Sequence, residues 1–72
     1  MRQSGPPGGI VRVALALPLP QTFDYLPGAF APQPGSRVLA PFGRRRRIGI
    51  VVEFDRQTDV PVERLKPIAG VM

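Results

Sequence analysis

Four adjacent arginines at positions 44–47, directly after Gly43, form the strongest basic feature of the sequence. Guanidinium groups pair bidentately with phosphate and stack on bases. Because adjacent positive charges repel one another, such a run is favoured where an anion meets it. The run therefore predicts phosphate contacts from Arg44, Arg45, Arg46 and Arg47. A solvated loop that only adds solubility is the alternative interpretation.

The charge balance of the whole chain also favours an anionic partner. Ten Lys and Arg residues against five Asp and Glu residues give a net charge of +5 in a chain of 72 residues. A polyanion such as a nucleic acid is the natural partner of this balance. Nine of the ten cations are arginine. An arginine-rich genome would explain that ratio equally well, but it would not explain the clustering.

A second motif places a carboxylate between two aromatic residues, Phe23, Asp24 and Tyr25. An ionised carboxylate only accepts hydrogen bonds and repels phosphate. In a basic site, Asp24 would therefore select a group that donates, such as a base amine or a sugar hydroxyl. The alternation alone equally allows an ordinary structural interpretation, in which Phe23 and Tyr25 belong to the core and Asp24 satisfies a turn.

Catalysis finds little support in the sequence. The chain has no histidine and no cysteine, which excludes the usual zinc sites and the usual catalytic bases and nucleophiles. Its five carboxylates show no motif spacing, and it has no phosphate-binding loop of the Walker type. No apolar run approaches the roughly 20 residues of a membrane helix, so we expect no membrane partner. We predict a protein without enzyme activity, cofactor or metal.

The elements that must position these residues are short strands. Ten prolines and eight glycines interrupt every helical period, whereas apolar residues alternate in several places. Glycines in the pairs 27–28 and 34–35 predict turns, and Gly43 predicts a hairpin with a basic tip. We expect an all-β fold, a small open barrel of the OB or SH3 type with four to five short strands. The predicted strands are 11–17, 22–25, 36–42, 48–54 and a short last strand within 64–71.

The expected core is small for a domain without disulfides, so its stability is expected to be marginal. Residues 1–9 are expected to form a disordered tail before a domain at 10–72. Gly49, inside the fourth strand, predicts a bulge or a close backbone approach. The core is predicted from alternation: Val11, Val13, Leu15, Leu17, Phe23, Tyr25, Val38, Ala40, Phe42, Ile48, Ile50, Val52 and Phe54.

Four pieces of the sequence are familiar in their order and spacing: LPLPQTFDYLP at 17–27, PGSRV at 34–38, PFG at 41–43 and IGIVV at 48–52. Together they resemble the N-terminal DNA-binding domain of the family of primosomal protein N′, the PriA replication-restart helicases. The resemblance extends over about residues 11–71.

The resemblance implies a cytoplasmic bacterial protein that binds the 3′ end of the nascent strand at stalled replication forks. It implies DNA as the partner, as single-stranded 3′ ends and branched forks, with single-stranded-DNA-binding protein and other primosome proteins as further partners. In the family, ATP and zinc belong to domains beyond this one, so helicase activity is not expected of this chain. The 3′-end pocket would contain Phe23, Asp24, Tyr25, Gly43 and Lys66. A general nucleic-acid-binding module and a protein–protein interaction module remain the alternatives.

Overall fold

The structure, a computed structural model, describes residue 6, residues 8–18 and residues 21–72. Within these residues, five strands form one antiparallel sheet in the order β2-β1-β4-β3-β5. A single 3₁₀ turn at Val62–Arg64 follows the longest strand. The strands are β1 (Ile10–Leu15), β2 (Thr22–Tyr25), β3 (Arg37–Phe42), β4 (Arg45–Asp55) and β5 (Gly70–Val71).

The predicted all-β class with four to five strands is confirmed, but the sheet is not closed into a barrel. Strands β2 and β5 lie at opposite edges and are not paired with each other. Residues 66–68 cross between the two edges. The N–H of Leu26 donates to the carbonyl of Lys66 at 2.9 Å, and the N–H of Ile68 donates to the carbonyl of Leu26 at 3.0 Å. One isolated bridge thus joins the edges where closure would need a ladder.

One face of the sheet carries the core. Alternation on β1 directs Val11, Val13 and Leu15 to this face, as predicted. Each of these side chains is at most 7% exposed, and Leu17 and Phe23 pack against the cluster. Burial of these side chains provides the main stabilisation of so small a domain. The cluster consists of Val11, Val13, Leu15, Tyr25, Val38, Ala40, Val51 and Ile68.

The face of β4 was predicted wrongly. Its large even-numbered residues were expected in the core, yet about half of each side chain is exposed, and Val51 is buried instead. The cause lies at Gly49, which is opposite Leu15 in the β1·β4 ladder and approaches β1 too closely to carry a side chain. A Cβ atom there would lie 2.8 Å from the carbonyl oxygen of Ala14 and 2.5 Å from Cγ1 of Val13. The exposed residues of the predicted core are Phe42, Ile48, Ile50, Val52 and Phe54.

The β1·β4 ladder also changes register. Arg12 is opposite Glu53, whereas the next residue of β1, Val13, is opposite Val51. Val52 is therefore an extra residue on β4, as in a β-bulge. The close approach predicted for Gly49 is confirmed, and the bulge lies three residues further along the strand.

The predicted hairpin joins β3 to β4 by a two-residue turn, because Phe42 is opposite Arg45. Gly43 has φ +63°, and Arg44 has no positive φ. These values match a type II′ turn, which requires glycine at its first position. The basic residues were expected in a loop at the tip, but only Arg44 lies in the turn. Arg45, Arg46 and Arg47 belong to the strand.

The remaining segments agree in part with the sequence. Turns occur at Gly28 and Gly35, both with positive φ. Pro61 opens the 3₁₀ turn, because its carbonyl accepts the N–H of Arg64 at 2.8 Å. The predicted short last strand is Gly70–Val71, and it begins after Pro67, which has no N–H for a ladder. Most of the predicted tail, residues 1–5 and 7, lies outside the described residues, as do 19 and 20.

Candidate nucleic-acid interface

A cavity of about 420 Å³ opens between β2, the β3–β4 hairpin and the segment after the 3₁₀ turn. The structure brings the five residues of the expected pocket together around it, although they come from three parts of the chain. Phe23, Asp24 and Tyr25 lie on β2, Gly43 in the hairpin turn and Lys66 after the 3₁₀ turn. The size is within the range of ligand sites.

An aromatic pair forms one side of the cavity. The rings of Phe23 and Phe42 meet edge to face, with centroids 5.0 Å apart and an interplanar angle of 67°. Phe23 packs against the core, whereas Phe42 is 36% exposed. Phe42 can therefore offer a ring face to a base, and stacking of this kind tolerates any base.

Tyr25 supports the cavity from the core. Its hydroxyl donates to the carbonyl oxygen of Pro41 at 2.7 Å, which ties β2 to β3 across the interior. Burial raises the pKa of the Tyr25 phenol above its ordinary value. Because the hydroxyl already has an internal partner, Tyr25 chiefly fixes the distance between the two sides of the cavity.

Asp24 is the acceptor in the cavity wall, and its side chain is only 12% exposed. Its Oδ1 accepts from Nε of Arg12 at 2.9 Å, and its Oδ2 accepts from Nη2 of Arg12 at 3.4 Å and from the hydroxyl of Thr58 at 2.6 Å. A carboxylate has about four lone-pair positions, so these three bonds leave one position, on Oδ1, for another donor. Asp24 is thus held in one orientation without being saturated.

Arg12 is the centre of a charged network on the outer face of the sheet. It pairs with Asp24, with Glu53 and, at 3.2 Å, with Asp55. These carboxylates raise the pKa of the Arg12 guanidinium, with Asp24 the largest cause. The N–H of Gln57 and then Arg12 lower the pKa of the Asp55 carboxyl.

The arginine run carries free positive charge beside the cavity. All four side chains are exposed, and none forms an ion pair within 4.0 Å in the part of the chain that the structure describes. Directly opposite residues of a ladder project to the same face. Arg45 is opposite Phe42, and Arg47 is opposite Ala40, so these two share the face of the aromatic ring. Arg46, opposite Pro41, projects to the other face.

Lys66 and Arg64 add two cations to the lining of the cavity. The main chain of Lys66 is fixed by its bond to Leu26, while its side chain is exposed. The position inferred for Lys66 from the resemblance therefore lies beside Asp24 and Tyr25 in space. Sequence reasoning missed Arg64, Arg12 and Thr58, since none of them belongs to a motif.

A larger open groove of about 910 Å³ lies elsewhere, lined in part by Gly9, Phe54 and Arg56. Its described lining contains none of the residues predicted for the DNA site, and the one cation there, Arg56, is accompanied by Asp55. Greater volume therefore does not make it the better candidate for a polyanion. Among the described residues, no helix is long and apolar enough to cross a membrane.

An all-β sheet with an aromatic cavity, a fixed acceptor and unpaired arginines defines a small nucleic-acid-binding domain. The chain belongs to the family of PriA 3′ DNA-binding domains, whose profile, described as "3'DNA-binding domain (3'BD)", matches residues 12–72. DNA is accordingly the partner of this domain.

Two similar proteins share the name "Replication restart protein PriA". The protein from Haemophilus influenzae is 53% identical over 60 residues, which is 82% of this chain and 8% of that relative. The protein from Buchnera aphidicola is 38% identical over 64 residues, which is 88% of this chain and 9% of that relative. The chain therefore spans less than a tenth of the length of these relatives.

Proposed function

We propose that this domain binds the free 3′ end of a nascent DNA strand in the 420 Å³ cavity, and that it does so at stalled forks during replication restart. The observation that carries the proposal is the convergence of Phe23, Asp24, Tyr25, Gly43 and Lys66 on one cavity. Family membership supports DNA as the ligand. The name of the similar proteins supports replication restart as the setting.

The cavity provides a separate group for each part of a terminal nucleotide. The exposed ring of Phe42 is placed to stack on the base. Lys66 and Arg64 provide cations for the last phosphate. Asp24, with one lone pair of Oδ1 still available, accepts a hydrogen bond from the terminal sugar hydroxyl and repels a terminal phosphate. Asp24 thus gives the site its preference for a strand end.

The arginines extend the contact away from the end. Arg45 and Arg47 share a face with Phe42; Arg45 lies directly opposite Phe42, and Arg47 lies two residues further along β4. A strand whose last base lies on Phe42 would bring its preceding phosphates over these two guanidinium groups. This arrangement gives affinity through charge, whereas Asp24 gives discrimination.

The test compares oligonucleotides of one sequence that end in a 3′ hydroxyl or a 3′ phosphate, measured by fluorescence anisotropy. We expect the wild-type chain to prefer the hydroxyl end and Asp24→Asn to lose about tenfold of that preference, since a hydrogen bond to a charged group contributes about 1.5–3 kcal/mol. Glu53→Gln is the control, because it also removes a carboxylate partner of Arg12 but lies outside the cavity lining.

An equal ratio of the two affinities in wild type and Asp24→Asn would contradict the assignment of Asp24 as the reader. Equal affinity of the wild type for both ends would support a general nucleic-acid-binding module. No measurable binding to either oligonucleotide would support a protein–protein module.

A further inference from the structure

Thr58 makes a short bond to the carboxylate at the centre of the proposed site. Its hydroxyl oxygen, Oγ1, donates to Oδ2 of Asp24 at 2.6 Å and accepts from the N–H of Val60 at 3.0 Å. The side chain thus links a main-chain donor to the carboxylate. Both Val60 and Asp24 line the cavity.

Thr58 belongs to the loop between β4 and the 3₁₀ turn, residues 56–61, which approaches β2 from the outer side of the sheet. Asp24 projects to that side because it is opposite Arg12, whereas its neighbours Phe23 and Tyr25 project to the core. Nη2 of Arg12 also donates to Oδ2 at 3.4 Å, so the bond from Thr58 is the shorter of the two bonds to this oxygen. The loop thereby contacts β2 at the carboxylate, whose side chain is 12% exposed.

We propose that Thr58 is a positioning residue that determines the preference of the cavity for a hydroxyl-terminated strand. The inference rests on the proposed function of Asp24. Arg12 takes one lone pair on each oxygen and Thr58 takes the second one on Oδ2, so the remaining lone pair, on Oδ1, has a fixed direction. An acceptor that is oriented before binding loses less freedom when the terminal hydroxyl arrives.

Three variants isolate the hydroxyl. Thr58→Val keeps the shape and removes the donor, Thr58→Ser keeps the donor, and Gln57→Ala changes an exposed side chain of the same loop that lies outside the cavity lining. We expect Thr58→Val to reduce the affinity ratio between hydroxyl and phosphate ends by about threefold to tenfold. Thr58→Ser and Gln57→Ala should keep the ratio of the wild type.

The ratio of the two affinities distinguishes a positioning role of Thr58 from a role in stability. A loosened fold would weaken binding to hydroxyl and phosphate ends alike and leave the ratio unchanged. A wild-type ratio in Thr58→Val overturns the inference while leaving Asp24 as the reader. A ratio lost in Thr58→Ser also overturns it, since the hydroxyl is still present, and this result is decisive even if Thr58→Val does not fold. No end preference in the wild type would instead overturn the proposed function, on which this inference rests.

Discussion

Val13 lies directly opposite Val51, and both side chains are at most 1% exposed. The two residues pair across the central strands of the sheet, one position beyond the register shift at Arg12. Ile50, the neighbour of Val51, projects to the other face and is 47% exposed. The stability of the domain should therefore depend more on Val51 than on Ile50, although valine is the smaller residue.

We expect Val51→Ala to lower the free energy of unfolding by about 2 kcal/mol, through lost burial and a cavity in the core. Ile50→Ala, its matched control on the same strand, should cost less than about 1 kcal/mol, because it removes an exposed side chain and some strand propensity. Urea unfolding followed by circular dichroism measures both. A larger loss for Ile50→Ala would mean that β4 has the opposite face in the core.

Gly49→Ala should destabilise the domain by about 1–3 kcal/mol, because the new methyl group meets the backbone of β1. Gly70→Ala is the matched control, since a Cβ atom there meets nothing within 4 Å and the φ of Gly70 is not positive. Thermal melts of the two variants give the comparison. Similar melting temperatures would show that β1 and β4 can separate to admit the methyl group.

Because the arginines of the run lie on different faces, double substitutions that remove the same charge should have unequal effects on DNA binding. Replacing Arg45 and Arg47 together with alanine should reduce the slope of log affinity against log salt by about 1.4, if each contacts one phosphate of a single strand. Replacing Arg44 and Arg46 removes the same charge from the turn and the other face, and should change the slope less. Titrations of one oligonucleotide over a range of salt measure this. Equal slopes for the two double variants would show that the strand does not follow the face of Phe42.

Tyr25 predicts loss of stability at alkaline pH. Its raised pKa means that the unfolded phenol, with a pKa of about 10, loses its proton first. The stability linked to Tyr25 is therefore complete below about pH 10 and is lost as the pH rises through the folded pKa. Tyr25→Phe should abolish this linkage, at some cost from the unpaired carbonyl of Pro41.

Tyr25 is the only tyrosine and the chain has no tryptophan, so the absorbance of tyrosinate reports on this residue alone. A titration midpoint equal to that of free tyrosine would contradict the burial. Denaturant unfolding at neutral and alkaline pH, in wild type and Tyr25→Phe, measures the linkage itself.

The strands and the hairpin were predictable because they depend on local signals. The alternation of apolar residues indicated β1 and β2. The hairpin was indicated by Gly43, which stands at the position where a type II′ turn requires glycine. The face of β4 had no local signal, since residues 48–52 are apolar at every position except Gly49. Either set of alternate residues satisfies the pattern. Only the proximity of β1 to Gly49 decides between them.

The candidate site also contains residues that the sequence predicted and residues that it did not. Motifs indicated Phe23, Asp24 and Tyr25, and these residues line the cavity. The partners of Asp24 were not predictable, because Arg12 and Thr58 are distant from it in sequence and from each other. Their positions depend on strand register and on the path of a loop, which no residue pattern encodes.

The strand order has a consequence for the rate of folding. The β3–β4 hairpin closes through two residues and can form within microseconds, whereas β1 must find β4 across about 40 intervening positions. Closing that loop costs entropy before the Val13–Val51 pair compensates for it. The rate-limiting step should therefore be the addition of β1 to the completed hairpin. Substitutions at Val13, whose pair with Val51 forms in this step, should therefore slow folding.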